Sequence, residues 1–151
     1  MNDLYFDDFQ LGQSFRSRTQ EMTRERIVAF GEEFDPQPQH VDEAAAAKSN
    51  FGELVASGWH TASVSMRLQY EAAFSRIANG GMGAGIEKLN WTRPVRPGDF
   101  LHVEVEVTEM RPSASRPERG VIRFLTTTIN QHGQTVQTML GTVLVPRSMA
   151  A

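Results

Sequence analysis

The chain has 151 residues, a length typical of one domain, and its 40% hydrophobic and 22% charged content is that of an ordinary globular protein. A formal net charge of -3 argues against a nucleic-acid or anionic membrane partner, and the absence of cysteine excludes disulfides, thiol catalysis and cysteine-bound metals. We see neither a signal peptide nor an apolar run long enough to span a bilayer. These features predict one cytoplasmic domain, residues 1–151.

The first half of the chain is predicted to be mainly helical after a short strand in SFRSRTQEMT, residues 14–23. Thr23 is a suitable N-cap, since its hydroxyl can accept a hydrogen bond from the first free amides of a helix. An apolar stripe follows at helical spacing: Ile27, Phe30 and Phe34. Because Pro36 disfavours helical geometry in the preceding residue, the helix is expected to end at Asp35. Asp42 is expected to cap a second, short helix rich in alanine.

The stretch LVASGWHTASVSM, residues 54–66, contains no Asp, Glu, Lys or Arg, and its small residues recur on several sides of a helix. A helix whose first turns are apolar or small all round is expected to be buried all round. Asn79-Gly80-Gly81 is expected to stop this helix.

The last part of the chain changes to the hydrophobic period of strands. Residues 86–91 are a predicted strand, and a turn-rich connection leads to a second strand, residues 101–108, in which apolar and polar residues alternate. Two further strands, rich in β-branched residues, are predicted in VIRFLTTTIN (121–130) and TVQTMLGTVLV (135–145). Strands clustered after helices indicate an α+β domain, in which a curved antiparallel sheet is wrapped around the central buried helix.

Three motifs carry a resemblance to a known family. DPQPQHVD, residues 35–42, is similar to an Asp-x-Asn-Pro-x-His-x-Asp hydratase motif; ASGWHTAS, residues 56–63, stands where a central helix begins; PVRPGD, residues 94–99, is similar to a connection into long strands. With these motifs the chain resembles the MaoC-like dehydratase and (R)-specific enoyl-CoA hydratase family, which has the hotdog fold, over roughly residues 6–146. Gln37 departs from the motif, because Asn usually stands there.

The resemblance implies a hydro-lyase, an enoyl-CoA hydratase or acyl dehydratase, that adds water to an enoyl-CoA thioester or removes it from a 3-hydroxyacyl-CoA thioester. Asp35 and His40, expected to be held outside any regular helix by two prolines, would share one water. His40 would help to remove its proton, and Asp35 would orient the water and relay a proton to the α-carbon. Histidine titrates near neutrality, and burial in an apolar site can raise the pKa of a carboxylate towards the same range. Either group is therefore a candidate for the acid and for the base.

Gly58 is the candidate for stabilising the negative charge that develops on the thioester oxygen. If the buried helix begins there, its first amides are unpaired at the positive end of the helix dipole, and glycine allows a substrate to approach closely. The alternative is that Gly58 only permits tight helix packing. His60 lies in an apolar helix and fits a core or a pocket wall better than a ligand. The residues predicted to bind substrate are Gln37, Ser57, Trp59 and His60.

The other histidines and two arginines are interpreted as surface residues. His102 alternates outward in its strand, and His132 lies in a turn. Arg93 and Arg96 are candidates for binding coenzyme A phosphates, although solvated loop charges are slightly favoured. No metal-binding spacing such as His-Glu-x-x-His is present, so no metal is expected, and no cofactor besides the coenzyme A that is part of the substrate.

Two other functions remain open. A hotdog thioesterase usually has a lone Asp or Glu on or near the central helix, and the absence of a carboxylate in the first two turns after Gly58 argues against it. A non-catalytic acyl-CoA-binding subunit is left open by Gln37, and Asp35 before Pro36 has the alternative role of a turn residue. The resemblance and an uncovered sheet edge predict a homodimer or a dimer of dimers, with active sites at the interface.

Overall fold

The computed structural model describes residues 3–148. Within them the chain forms four α-helices, six β-strands and two short 3₁₀ helices, at Phe6–Asp8 and Phe74–Arg76. The α-helices are α1 (Arg24–Phe34), α2 (Pro38–Val41), α3 (Glu43–Ala47) and α4 (Gly58–Ala72). The strands are β1 (Ser14–Arg16), β2 (Gln20–Glu21), β3 (Met82–Trp91), β4 (Phe100–Pro112), β5 (Arg119–Ile129) and β6 (Thr135–Pro146).

The strands form one antiparallel sheet in the order β1-β4-β5-β6-β3, and β2 pairs with β4 beside β1. Leu68 of α4 and Phe124 of β5 belong to the main apolar core between the helix and the sheet. Every second residue in the middle of β4 enters the same core: Val103, Val105 and Val107. The predicted α+β architecture, a curved sheet around a central helix, is therefore confirmed and corresponds to the hotdog fold.

A second apolar cluster anchors the segments that lead to α4. Met22 and Ile27 pack there with Leu54, just before α4, and with Val95, in the connection before β4. Main-chain hydrogen bonds join the same segments, since the Ala56 N–H donates to the Val95 carbonyl over 2.8 Å. The start of α4 is thus held against two parts of the chain that are distant in sequence.

The local signals for the first helices are confirmed. Thr23 Oγ1 accepts a hydrogen bond from the Arg26 amide (3.2 Å) and α1 ends at Phe34, while Asp42 Oδ1 accepts from the Ala45 amide (3.0 Å) at the start of α3. The expectation that both motif residues lie outside regular helix is wrong for His40, which lies in α2. The reason is that Pro38 occupies the first helical position, where its fixed φ angle favours a helical turn.

The central helix is not buried on all sides of the single chain. Trp59, Met66 and Tyr70 are 57%, 44% and 52% exposed, and they form one stripe along α4. The buried side of the helix carries small and polar residues: Thr61, Ser65 and Gln69. The helix also ends before the expected stop, at Ala72; the 3₁₀ helix Phe74–Arg76 follows, and residues 79–80 form a turn with positive φ that leads into β3. Within residues 3–148 no helix is both long and apolar enough to cross a membrane.

The strands begin close to the predicted positions, except that β3 starts at Met82 rather than Ile86. His132 is exposed as predicted, but the prediction of a surface position for His102 is wrong, because its side chain is only 11% exposed. It lies on β4, which is paired on one side with β2 and on the other with β5, where Ile129 is directly opposite. Neighbouring strands on both sides cover a side chain that alternation directs outward.

Candidate active site

A cleft of about 400 Å³ lies where the α1–α2 corner meets the start of α4 and the connection before β4. The corner is positioned by main-chain hydrogen bonds, since the Val55 N–H donates to the Gln39 carbonyl over 3.0 Å. Five of the residues predicted from the sequence line this cleft: Asp35, Gln37, His40, Gly58 and Trp59. The structure therefore brings together two motifs that are about twenty residues apart in the chain.

The hydrogen bonds of His40 determine which ring nitrogen carries a hydrogen. Its Nδ1 lies 2.7 Å from the Val55 carbonyl oxygen, which can only accept, so Nδ1 is the donor. In the neutral ring the lone pair is then on Nε2, which lies 3.4 Å from Asp35 Oδ2. The imidazole is 5% exposed and rigidly placed, with its basic nitrogen beside the carboxylate.

Asp35 is held by two hydrogen bonds. Ser57 Oγ donates to Oδ2 over 2.6 Å, and Gln37 Nε2 donates to Oδ1 over 2.8 Å. Burial pushes the pKa of Asp35 upward, but the hydrogen bonds from Ser57 and Gln37 and the nearby His40 together lower this pKa below its usual value. The pKa of Asp35 is therefore not raised towards neutrality, and Asp35 is a carboxylate at neutral pH.

Gly58 is the first residue of α4, as predicted. Ser57 caps the helix: its Oγ accepts from the Trp59 amide (3.3 Å) and its carbonyl oxygen accepts from the His60 amide (2.9 Å). Among residues 3–148, the Gly58 amide has no hydrogen-bond acceptor. An unpaired N–H in the cleft, at the positive end of a helix, is suited to bind an oxygen that gains negative charge.

The other predicted binding residues fall into two groups. Gln37 and Trp59 line the cleft, and Ser57 is fully buried behind Asp35, which it orients. His60 does not line the cleft, because its ring stacks on Phe30 with 4.8 Å between the centroids. Of the two positions expected for His60, core or pocket wall, its buried ring occupies the core.

Several lining residues were missed by the sequence analysis. Trp91 at the end of β3 and Phe51 before α4 both line the cleft and are partly exposed. The sequence signal that could have identified them is an aromatic residue a few positions before a motif: Phe51 before ASGWHTAS and Trp91 before PVRPGD. Of the two arginines, Arg93 lines the cleft, whereas Arg96 forms an ion pair with Glu53.

The sequence matches the MaoC-like domain family over residues 8–128, which include Asp35, His40 and Gly58. The chain belongs to this family. Over 128 residues, 83% of this chain and 86% of its relative, this MaoC-like chain is 36% identical to the uncharacterised protein YdeM of Bacillus subtilis. It is 33% identical to a 3-hydroxybutyryl-CoA dehydratase of Methylorubrum extorquens over 114 residues, 75% of this chain and 69% of the relative.

The solved structures include a similar MaoC-like protein. The crystal structure of a MaoC-like dehydratase from Rhodospirillum rubrum superposes with a TM-score of 0.92 and is 44% identical. The superposition covers 97% of this MaoC-like chain and 99% of the other. The family supports hydratase or dehydratase chemistry for this protein.

Proposed function

We propose that this protein is a hydro-lyase that interconverts an enoyl-CoA and a 3-hydroxyacyl-CoA thioester. The observation that carries the proposal is the convergence of three groups in one cleft: the Asp35 carboxylate, the lone pair of His40 Nε2 and the unpaired Gly58 amide. The 33% identical relative from Methylorubrum extorquens, a 3-hydroxybutyryl-CoA dehydratase, supports a CoA ester as the substrate.

In this proposal one water lies beside Asp35 Oδ2 and His40 Nε2, which are 3.4 Å apart, within reach of both, and donates one O–H to each. His40 Nε2 takes a proton as the water oxygen bonds to the β-carbon of the enoyl group. The electrons of the double bond move towards the α-carbon and the thioester oxygen, where the Gly58 amide stabilises the negative charge. The α-carbon then takes up one proton from the Asp35–His40 pair, so that both parts of one water are added. Dehydration is the reverse sequence.

The test is the loss of the conjugated enoyl-thioester absorbance of crotonyl-CoA, with the product identified as 3-hydroxybutyryl-CoA. A thiol reagent in a parallel sample separates hydration from hydrolysis, because only a thioesterase releases free coenzyme A. Hydration without thiol release is expected. Thiol release, or turnover of neither crotonyl-CoA nor a panel of branched and dicarboxylic enoyl-CoA esters, would contradict the proposal in favour of a thioesterase or a binding subunit.

Arg93 is proposed to contact a phosphate of coenzyme A, since it lines the cleft and has no ion-pair partner among residues 3–148. An exposed ionic contact contributes up to about 1 kcal/mol, so R93A is expected to raise the KM for crotonyl-CoA up to about fivefold with kcat unchanged. Steady-state kinetics with crotonyl-CoA and with a crotonyl thioester of N-acetylcysteamine, which has no phosphate, will measure the effect. The KM of the second substrate should not change. R16A, in the exposed part of β1, is the control.

We also propose that the protein is a homodimer in the cytoplasm, with no nucleic-acid or membrane partner. Two neighbouring apolar surfaces support the dimer: the exposed stripe on α4, with Met66, and the edge strand β3, on which Ile86 is 55% exposed. Met66 and Ile86 line the same surface pocket, so the two apolar surfaces are continuous. An uncovered apolar edge strand of this kind is normally paired.

M66E is expected to convert the dimer into a monomer, because a carboxylate would have to be buried in the interface. Sedimentation at micromolar concentration will distinguish a monomer, a dimer and a dimer of dimers. L11E changes an exposed apolar residue in a turn outside these surfaces and should leave the assembly intact. A wild-type protein that sediments as a monomer would rule out the dimer.

A further inference from the structure

Trp91, which the proposed reaction does not use, is held in the cleft by a buried amide. Trp91 and Gln137 are directly opposite each other in the β3–β6 ladder. The indole Nε1–H donates to Gln137 Oε1 over 3.0 Å, and Gln137 is fully buried. Directly after this pair, the Thr92 N–H donates to the Val136 carbonyl over 2.9 Å and continues the hydrogen bonding between the two strands. The indole therefore has a defined orientation although it is 45% exposed.

The same indole lies directly against Gly58. A Cβ atom built on Gly58 would be 2.4 Å from Trp91 Cε2 and 2.6 Å from Cδ2, distances that no real Cβ atom adopts. The φ angle of Gly58 is not of the left-handed kind, so the glycine is required here by the ring rather than by the backbone. Trp59, one residue further along α4, meets Trp91 edge to face at 5.3 Å. The first turn of α4 is thus packed against an indole that β6 orients.

Gln137 is unusual for a residue that only fills the core. Its Nε2 is buried with no hydrogen-bond partner among residues 3–148, while its Oε1 is used by Trp91. A buried donor without a partner lowers stability, and an apolar residue of the same shape would avoid that cost. The amide is therefore poorly explained by stability and well explained by the orientation of Trp91.

We propose that Gln137 is a positioning residue that acts through Trp91, whose indole forms the cleft wall at Gly58 and holds the Gly58 amide in line with the thioester oxygen. The inference rests on the proposed function and extends it to two residues outside the motifs. It assigns a role in the reaction to Gln137, which does not line the cleft. Its consequence is that a change on β6 alters transition-state stabilisation at the start of α4.

The experiment compares W91F, Q137M and the double variant with crotonyl-CoA. Phe keeps an aromatic ring but has no N–H, and Met keeps the volume of Gln137 without the acceptor. Because small displacements of a catalytic donor are costly, each single variant is expected to lower kcat about 10- to 100-fold with KM changed less than about twofold. The double variant should be no slower than the slower single variant, since both changes break one hydrogen bond. The melting temperature of Q137M should not fall.

A kcat within twofold of wild type in both single variants would overturn the inference, and so would losses that multiply in the double variant. A KM increase with unchanged kcat would also overturn it, because it would indicate ordinary substrate contact. T138A on the same strand, partly exposed and outside the cleft, is the matched control and should keep wild-type kinetics.

A second readout does not depend on turnover. The chain contains two tryptophans, so W59F leaves Trp91 as the only tryptophan, whose emission is excited selectively at the red edge of its absorption. Butyryl-CoA, which has no double bond to hydrate, should change the Trp91 emission saturably, and Q137M in the W59F background should alter the change. If no enoyl-CoA is turned over but this signal is present and depends on Gln137, the proposed function fails. Trp91 is then still a ligand-contacting residue of the cleft that Gln137 orients. An absent signal, or one that Q137M leaves unchanged, would overturn the role of Gln137.

Discussion

Replacing either Asp35 or His40 is expected to lower kcat/KM for crotonyl-CoA by about 10²- to 10⁴-fold, the usual contribution of a positioned acid or base. D35N keeps the shape of the side chain but removes the negative charge of the carboxylate, whose Oδ2 accepts from Ser57 and is proposed to orient the water. H40A removes the nitrogen whose lone pair lies 3.4 Å from Asp35 Oδ2. The measurement is steady-state hydration of crotonyl-CoA, with the fold checked by circular dichroism and thermal melting.

The double variant D35N/H40A should be little slower than either single variant, because both residues act on one water. H132A is the matched histidine control, since His132 is exposed in the turn between β5 and β6 and should keep full activity. H40A also creates a cavity at a buried site, so D35N is the more informative change. A folded D35N protein with wild-type turnover would exclude the proposed role of this carboxylate.

The second large effect is expected in stability, from His60. Burial, and to a smaller extent the charge of Arg26, lower the pKa of His60 from 6.5 to about 4. Between these values the unfolded chain binds a proton at this position that the folded chain does not bind. The free energy of unfolding therefore falls as the pH decreases from about 6.5 to about 4, by on the order of 3 kcal/mol from this group. Well above pH 6.5 the ring is neutral in both the folded and the unfolded chain, so this loss of stability is absent.

H60F should remove this part of the pH dependence. Phenylalanine preserves the stacking on Phe30 and also eliminates His60 Nδ1, which is buried without a hydrogen-bond partner in the described part of the chain. Urea unfolding of wild type and H60F between pH 4 and 7 should show curves that differ most at pH 4, with the variant relatively more stable there. The carboxylates titrate in both proteins and cancel in the difference. A difference that does not depend on pH would show that His60 is not the group responsible.

The local parts of the fold were predictable because their causes are local. A cap such as Thr23 acts on an amide three residues away, and strand alternation in β4 follows from side chains that point to opposite faces. Two of the errors occur where a neighbour in space overrides the local pattern, whereas the helical position of His40 has the local cause of Pro38. His102 is covered by strands on both sides, and the exposed stripe on α4 exists because small and polar residues were placed against the sheet.

The candidate site also has some features with a local cause and others that depend on the tertiary structure. The sequence alone indicated, through a family resemblance, that Asp35 and His40 belong to one motif, and it offered Gly58 as a possible start of the central helix, where α4 does begin. The tertiary structure decided their chemistry. The Val55 carbonyl determines the tautomer of His40 from 15 residues away, and Ser57 lowers the pKa of Asp35 across 22 residues.

The Trp91–Gln137 pair depends on the tertiary structure alone, because β3 and β6 are 46 residues apart at this contact. Residue types and spacing specify which groups are available, whereas hydrogen bonds and burial between distant segments determine their protonation and orientation. For this protein, the sequence determined the architecture and the candidate motif. The packing of distant strands against the first turn of α4 decided how the motif is arranged.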